Sequence, residues 1–253
     1  MAGFEHAPTL RRPGRRPARP TARSGPAPDP PNGARNLWPM HILSVNRGAL
    51  RATEHSSAGH TGIGKTPVSG PVLVKAPGPR GTGGSGIVGD AIGDLRFHGG
   101  DDQAVYAFAR EDLDAWEEEL GRELPPGTFG ENLTTSGYDI NHALVGERWR
   151  VGPQVVLEVC HVRLPCRTFA GHLGEAGWVK RFTRAARPGP YLRVAEGGEI
   201  RAGDAVEVVH RPDHDVTVSL MFRALTTERE LLPRLLAARD VLPERVLAEA
   251  RGE

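Results

Sequence analysis

Short apolar runs between turn residues recur along most of the chain. Residues 42–46, 72–75, 104–108, 147–151, 155–159, 191–194 and 205–210 are rich in Val, Ile, Leu and aromatic residues, and each is expected to be a strand. Gly152-Pro153 falls between two of these runs and predicts a hairpin turn. Two stretches have helical period instead. Residues 110–120 place Leu113, Trp116 and Leu120 on one face, with Gly121 positioned to cap the end. Residues 177–184 place Trp178 and Phe182 four apart. Strands outnumber helices and do not alternate with them, which argues against a doubly wound parallel sheet. A mainly β, mostly antiparallel domain of barrel-like or sandwich form is expected.

After Asp215 the period becomes helical. Val218, Met221, Phe222 and Leu225 share a face, and Thr227 with Glu230 reads as a capping box before Leu231, Leu232, Leu235 and Leu236. Pro243 suits the first turn of a last segment carrying Val246 and Leu247. Residues 213–253 are therefore expected to be a small three-helix module. Its expected role is packing or homodimerisation rather than catalysis.

Composition divides the chain further. The 253 residues carry a net charge of +1, but residues 1–39 hold seven Arg against Glu5 and Asp29, or +5. The 25 basic and 29 acidic residues of 40–253 leave that part at −4, which does not suggest a nucleic-acid binder. Nine of the 22 Pro also lie in 1–39, a composition that cannot bury enough apolar surface to order itself. That stretch reads as a disordered tail, or as the product of a start assigned too early, with Met40 opening the first strand. No apolar run of about eighteen residues predicts a membrane span. With no secretory signal in the tail either, a cytoplasmic location is expected. Two cysteines exclude a disulfide framework.

Several motifs fail on context. Gly59-His60-Thr61-Gly62-Ile63-Gly64-Lys65-Thr66 fits the phosphate-loop pattern, but no strand precedes it and Pro67 forbids the helix that must follow. Lys65 is left as an anion contact. The glycine-rich 81–86 reads as a flexible loop. Cys160 and Cys166 lack a second pair for structural zinc, and His98, His161 and His172 lack metalloprotease spacing.

Three loops carry the remaining chemistry. The first, 96–105, contains His98, Gly99, Gly100, Asp101 and Asp102, where glycine would let backbone approach a ligand beside titratable groups. A plain polar turn fits it equally. The second, 128–135, offers Glu131 and Asn132 as hydrogen-bonding partners for a heterocycle, although a capped turn explains it as well. The third is Arg163-Leu164-Pro165-Cys166-Arg167, in which two cations flank a thiol. Cations favour thiolate, the form that binds soft metals.

Together these segments resemble the MOSC family, named for the C-terminal domain of molybdenum cofactor sulfurase. The resemblance runs over about 40–210. His98-Gly99-Gly100, 129–135 and Arg163-x-Pro165-Cys166 stand in the family's order, as do the hairpin block 147–152 and the closing segments 191–194 and 198–204. Lys65 falls in a block, 62–68, similar to that of the bacterial stand-alone subgroup, whose three-helix module the C-terminus resembles. The cysteine loop departs from the family at His161 and Val162.

The resemblance implies a MOSC-type β-barrel-like domain at 40–212 holding a molybdopterin-type molybdenum cofactor, with Cys166 as metal ligand and Cys160 structural. Lys65, Arg163, Arg167 and Arg193 are then candidates for the cofactor phosphate. His98, Asp102, Glu131 and Asn132 are candidates for pterin or substrate contacts, beside Gly99 and Gly100. The activity implied is reduction of N-hydroxylated compounds, a detoxification. It needs a small-molecule substrate and a separate electron-donor protein. The alternative is a non-catalytic carrier of the cofactor or its sulfur. No pyridoxal phosphate is expected in this chain.

Overall fold

The structure, a computed structural model, describes residues 39–253; the tail reading of 1–39 otherwise lies outside the described residues. The strands are β1 (His41–Gly48), β2 (Arg51–Ala52), β3 (His60–Thr61), β4 (Lys65–Pro67), β5 (Val72–Val74), β6 (Val105–Ala109), β7 (Leu133–Ser136), β8 (Arg148–Val151), β9 (Val155–Val162), β10 (Pro190–Glu196), β11 (Gly198–Ile200) and β12 (Val206–His210). The helices are α1 (Arg110–Leu120), α2 (Arg167–Leu173), α3 (Trp178–Ala185), α4 (Val218–Thr226) and α5 (Glu244–Arg251), with 3-10 segments at Asp101–Gln103 and Arg229–Ala238.

Eight strands form one sheet in the order β12-β8-β9-β10-β6-β7-β1-β4, while β5 pairs β11 and β2 pairs β3 separately. All pairings are antiparallel except β6 with β7, which α1 separates in sequence. The expected mainly antiparallel β architecture is therefore present, but the sheet does not close into a barrel. The start of β1 meets the segment before β12 at an isolated bridge, His41 with Ala205, where the Ile42 amide reaches the Asp204 carbonyl at 2.9 Å and the Val206 and Gly203 amides reach the Met40 and Ile42 carbonyls at 2.8 and 2.7 Å.

Local sequence explains the main elements. Seven of the eight positions of β9 are buried, which gives its continuous apolar run, whereas β8 buries alternate positions. The β8–β9 hairpin turns at Gly152 in a left-handed conformation, φ 59°. Gly121 ends α1 likewise, donating its amide to the Glu117 carbonyl. An aromatic cluster locks the helices together. Trp116 of α1 meets Trp178 of α3 at 4.6 Å, Phe129 meets Phe169 of α2 at 5.1 Å, and Phe182 reaches Phe222 of α4 at 6.1 Å.

The C-terminal stretch is helical in another way than its pattern suggests. The capping box does not form, because Thr227 ends α4 instead of opening a helix. Arg229–Ala238 is 3-10, with Pro233 inside it lacking an amide donor. Pro243 stands one residue before α5, as its N-cap. Two segments read as loops are regular: β7 within 128–135, and α2, which starts directly after Cys166. No described helix is long and apolar enough to cross a membrane.

Candidate functional site

The fold opens a cleft of about 810 Å³ between the end of β9, the loop before β6, the β3–β4 region and the first turn of α5. That volume is within the range of cofactor sites. Of the residues singled out in the sequence, Lys65, His98, Gly99, Asp102, Asn132, Arg163, Cys166 and Arg167 line it. Gly100, Glu131 and Arg193 do not.

Cys166 caps α2 at its N-terminal side, half-buried and not in a disulfide. Three residues earlier Arg163 is buried at the end of β9. Its Nη1 donates to the Tyr191 hydroxyl at 2.8 Å, and its guanidinium lies 5.2 Å from the Phe169 ring and 5.7 Å from the Tyr106 ring. Its Nε is buried without a partner. The Arg163 charge acts on Cys166, Lys65 and His98. Cys160, by contrast, is fully buried within β9 and shares its S–H between the Asp102 and Tyr191 carbonyls at 3.3 and 3.5 Å. Burial pushes its thiol up, away from thiolate.

Lys65 is buried in β4 and paired with Asp90. Asp90 also takes the Asn132 amide at 2.9 Å and the Gly48 amide at 2.7 Å. Burial pulls the Lys65 ammonium down and Asp90 holds it up. No helix follows the Gly64-Lys65-Thr66 stretch, so the phosphate-loop geometry is absent. Asn132 is engaged on its other side by the Tyr106 amide at 3.2 Å.

Other candidates hold the framework. Glu131 is fully buried; it accepts the Gly127 and Phe129 amides and the Thr134 hydroxyl, and burial pushes its carboxyl up to about 7. Arg193 is bound by Asp102 at 2.6 Å and by the Val241 carbonyl at 2.7 Å, which turns its fork away from the cleft. Gly99 and Gly100 have φ of 83° and 79°, and a Cβ on either would strike the 80–84 backbone at 2.7–2.8 Å. Neighbouring chain therefore excludes a side chain at either position, and Gly99 also lines the cleft. His98 lines the cleft as a neutral ring, since burial and then Arg163 lower its pKa to about 4.

The sequence reading missed several cleft residues. Asp90, outside the cleft lining, anchors the cleft residue Lys65 from a loop with no motif. His161, noted as lacking metalloprotease spacing and as a departure from the family, lines the cleft with a buried, unpartnered Nδ1. Gln103 lines it with a buried, unpartnered Oε1, and Arg80 and Arg245 complete the wall. Only the apolar period of 243–251 could have placed Arg245.

The donor set fits a molybdopterin-type cofactor. Among the described residues no three His, Cys, Asp or Glu cluster to hold a metal ion, so a metal here must bring ligands of its own. The cleft offers one thiol, Cys166, and beside it Arg163, whose buried Nε–H is an unpartnered donor suited to an acceptor-rich group.

Comparison with known proteins identifies the family. The MOSC domain profile matches residues 94–207. The chain is 30% identical over 210 residues to the uncharacterized protein YflK of Bacillus subtilis, covering 83% of this chain and 90% of YflK. A protein of Gibberella moniliformis named reductase is 28% identical over 177 residues, 69% of this chain and 30% of that one. The crystal structure of YiiM from Geobacillus stearothermophilus superposes with a TM-score of 0.67 at 25% identity, over 85% of this chain and 98% of YiiM. With this fold, these motifs in order and a relative matched over nearly its whole length, the chain belongs to the MOSC domain family.

Proposed function

We propose that this protein binds a molybdopterin-type molybdenum cofactor and reduces N-hydroxylated compounds, with Cys166 as the metal's protein ligand. The observation that carries this is the pairing, in one cleft, of a half-buried free thiol with a buried arginine whose Nε is unpartnered. When bound, the cofactor supplies two-electron redox chemistry that takes the oxygen from an N–OH group. The balance is R–NH–OH plus two electrons and two protons to R–NH2 and water.

This chain's residues position and screen. Tyr191, Tyr106 and Phe169 hold Arg163 within electrostatic reach of the Cys166 sulfur. Lys65, fixed by Asp90, adds a second cation on the same wall. His98, neutral at pH 7, can donate or accept one hydrogen bond to a substrate without adding charge. The electrons come from a separate donor protein.

The test is metal and pterin analysis of protein made in a host with intact cofactor synthesis. The expected result is about one molybdenum per chain, lost in Cys166→Ser and kept in Cys160→Ser. Wild-type protein without molybdenum would refute the proposal. Turnover of an amidoxime with a reconstituted donor separates the reductase from a carrier, which would hold the metal without turnover.

A further inference from the structure

A second depression, of about 750 Å³, lies between α2, α3 and the end of α4. It shares no lining residue with the cleft. The two are nonetheless neighbours. Cys166, Arg167 and Thr168 line the cleft, and Ala170, further along α2, lines the groove. The Ala170 amide donates to the Cys166 carbonyl at 3.0 Å, so one helical turn, about 6 Å of rise, joins them. The end of α4 also borders both, with Leu225 in the cleft and Arg223 and Thr227 in the groove.

The groove is apolar at its base and positive at its rim. Ala170, Trp178, Val179 and Ala186 line it, and Val179 is left 42% exposed. Both carboxylates of the groove are already paired. Glu175 holds Arg122 and Arg181 at 3.3 and 3.4 Å, and Glu228 holds Arg223 at 3.3 Å. Lys180 and Arg184 are exposed on α3 and have no ion-pair or hydrogen-bond partner among the described residues. They stand four apart, where like charges weaken a helix. Residues 40–253 carry −4, so these two unpaired cations run against the average charge of the molecule. An exposed apolar side chain beside free cations is complementary to a protein face that carries carboxylates.

We propose that this groove docks an acidic electron-carrier protein of the flavin or iron–sulfur class, whose carboxylates meet Lys180 and Arg184 around Val179. The inference rests on the proposed function, because a reductase centred on Cys166 must draw its electrons from outside the chain. Redox encounters between proteins are small and transient, and complementary charge mainly speeds their formation. A carrier docked here stands one turn of α2 from Cys166 and does not compete with substrate for the cleft. Two reduced carriers each give up one electron, and with two protons from solvent these convert R–NH–OH to R–NH2 and water.

The test is calorimetric titration of the full-length protein with a bacterial flavodoxin, a small acidic flavin carrier, at about 20 mM salt. Binding should weaken with added salt, and at least about tenfold in the double variant Lys180→Glu, Arg184→Glu. The double variant Arg150→Glu, Arg201→Glu makes the same change of net charge outside both cavities and should bind like wild type. If the reversal on α3 unfolds the protein, Lys180→Gln with Arg184→Gln carries the same test, with a loss of about threefold. Equal affinity in all variants, or no binding up to about 1 mM flavodoxin, overturns the proposal. So does a wild-type dimer that the α3 variant dissociates, which assigns the groove to a second copy of the chain. Turnover of the molybdenum-loaded protein supplies a second readout. The α3 variant should need about tenfold more reduced flavodoxin while turning over normally with dithionite, which needs no docking surface. Equal loss with both donors overturns the proposal. Protein without molybdenum removes the proposed function, while the titration still decides whether the groove takes the carrier.

Discussion

Lys65 and Asp90 show how much of the candidate site is built from side chains that satisfy one another. Both side chains are almost completely buried, and Asp90 also takes the Asn132 and Gly48 amides. Removing one partner of such a pair leaves an uncompensated charge. Asp90→Asn is therefore expected to destabilise the fold by about 3–5 kcal/mol, read as a shift in the urea midpoint. Adding Lys65→Met should recover part of that loss, because the stranded ammonium is gone. If Asp90→Asn unfolds at the wild-type midpoint, the pair is not held as described. The two cysteines differ in the same residue-level way. Cys160 is inert by burial and Cys166 is accessible to the cleft, so metal binding separates their variants.

Among the elements, Arg193 ties three pieces together. From β10 it holds Asp102 of the 3-10 turn, Glu158 of β9 and the Val241 carbonyl ahead of α5. Arg193→Met is expected to lower stability by about 1–3 kcal/mol and to speed amide exchange over 229–251, with molybdenum content unchanged. Loss of the metal with unaltered exchange would return Arg193 to the cofactor. This is where sequence reading reached its limit. Periodicity located β1, β5, β6, β8, β9, β10, β12, α1 and α3, because each buries its apolar positions in a local rhythm. It missed β7, since Thr134 and Thr135 are polar yet fully buried, and the Thr134 hydroxyl is satisfied by Glu131 and Asn46 from other segments. It missed α2, which starts at Cys166 without a side-chain cap. In the cleft, Cys166, Arg163 and Lys65 were legible through the family resemblance of the blocks that carry them. Asp90, Gln103 and Arg245 were not, because only the tertiary fold brings Gln103 and Arg245 to the cleft and Asp90 to Lys65. Gly100 was legible as a necessity but for the wrong reason, since backbone at Arg80, not a ligand, occupies the space beside it.

For the whole molecule, buried titratable groups predict how stability varies with pH. His98 and His161 have an ordinary value of 6.5 and are held near 4 by burial in the fold. As pH falls from about 6.5 to about 4 the unfolded chain takes up protons that the folded one refuses, so these rings make stability fall toward acid. Glu131 and Asp112 act the other way. Burial raises them to about 7 and about 6, so their contribution is full in acid and is lost as pH rises through those values. The two trends offset each other in wild type. His161→Phe removes one acid-side term, and its stability relative to wild type should therefore rise steadily from pH about 6.5 to about 4, measured by urea midpoints. A constant difference across that range would show that His161 titrates normally in the fold.

The walls of the cleft come from residues as early as His55 and as late as Glu249. A chain emerging from the ribosome folds from its N-terminal side, so the sheet can assemble well before α5 is available. Until residues 243–249 are released, the cleft lacks the side that carries Arg245 and the amides of α5. The order of synthesis thus sets an order of maturation: the scaffold comes first, the complete receptor last, and any occupant that needs both walls is taken up after translation has passed this stretch.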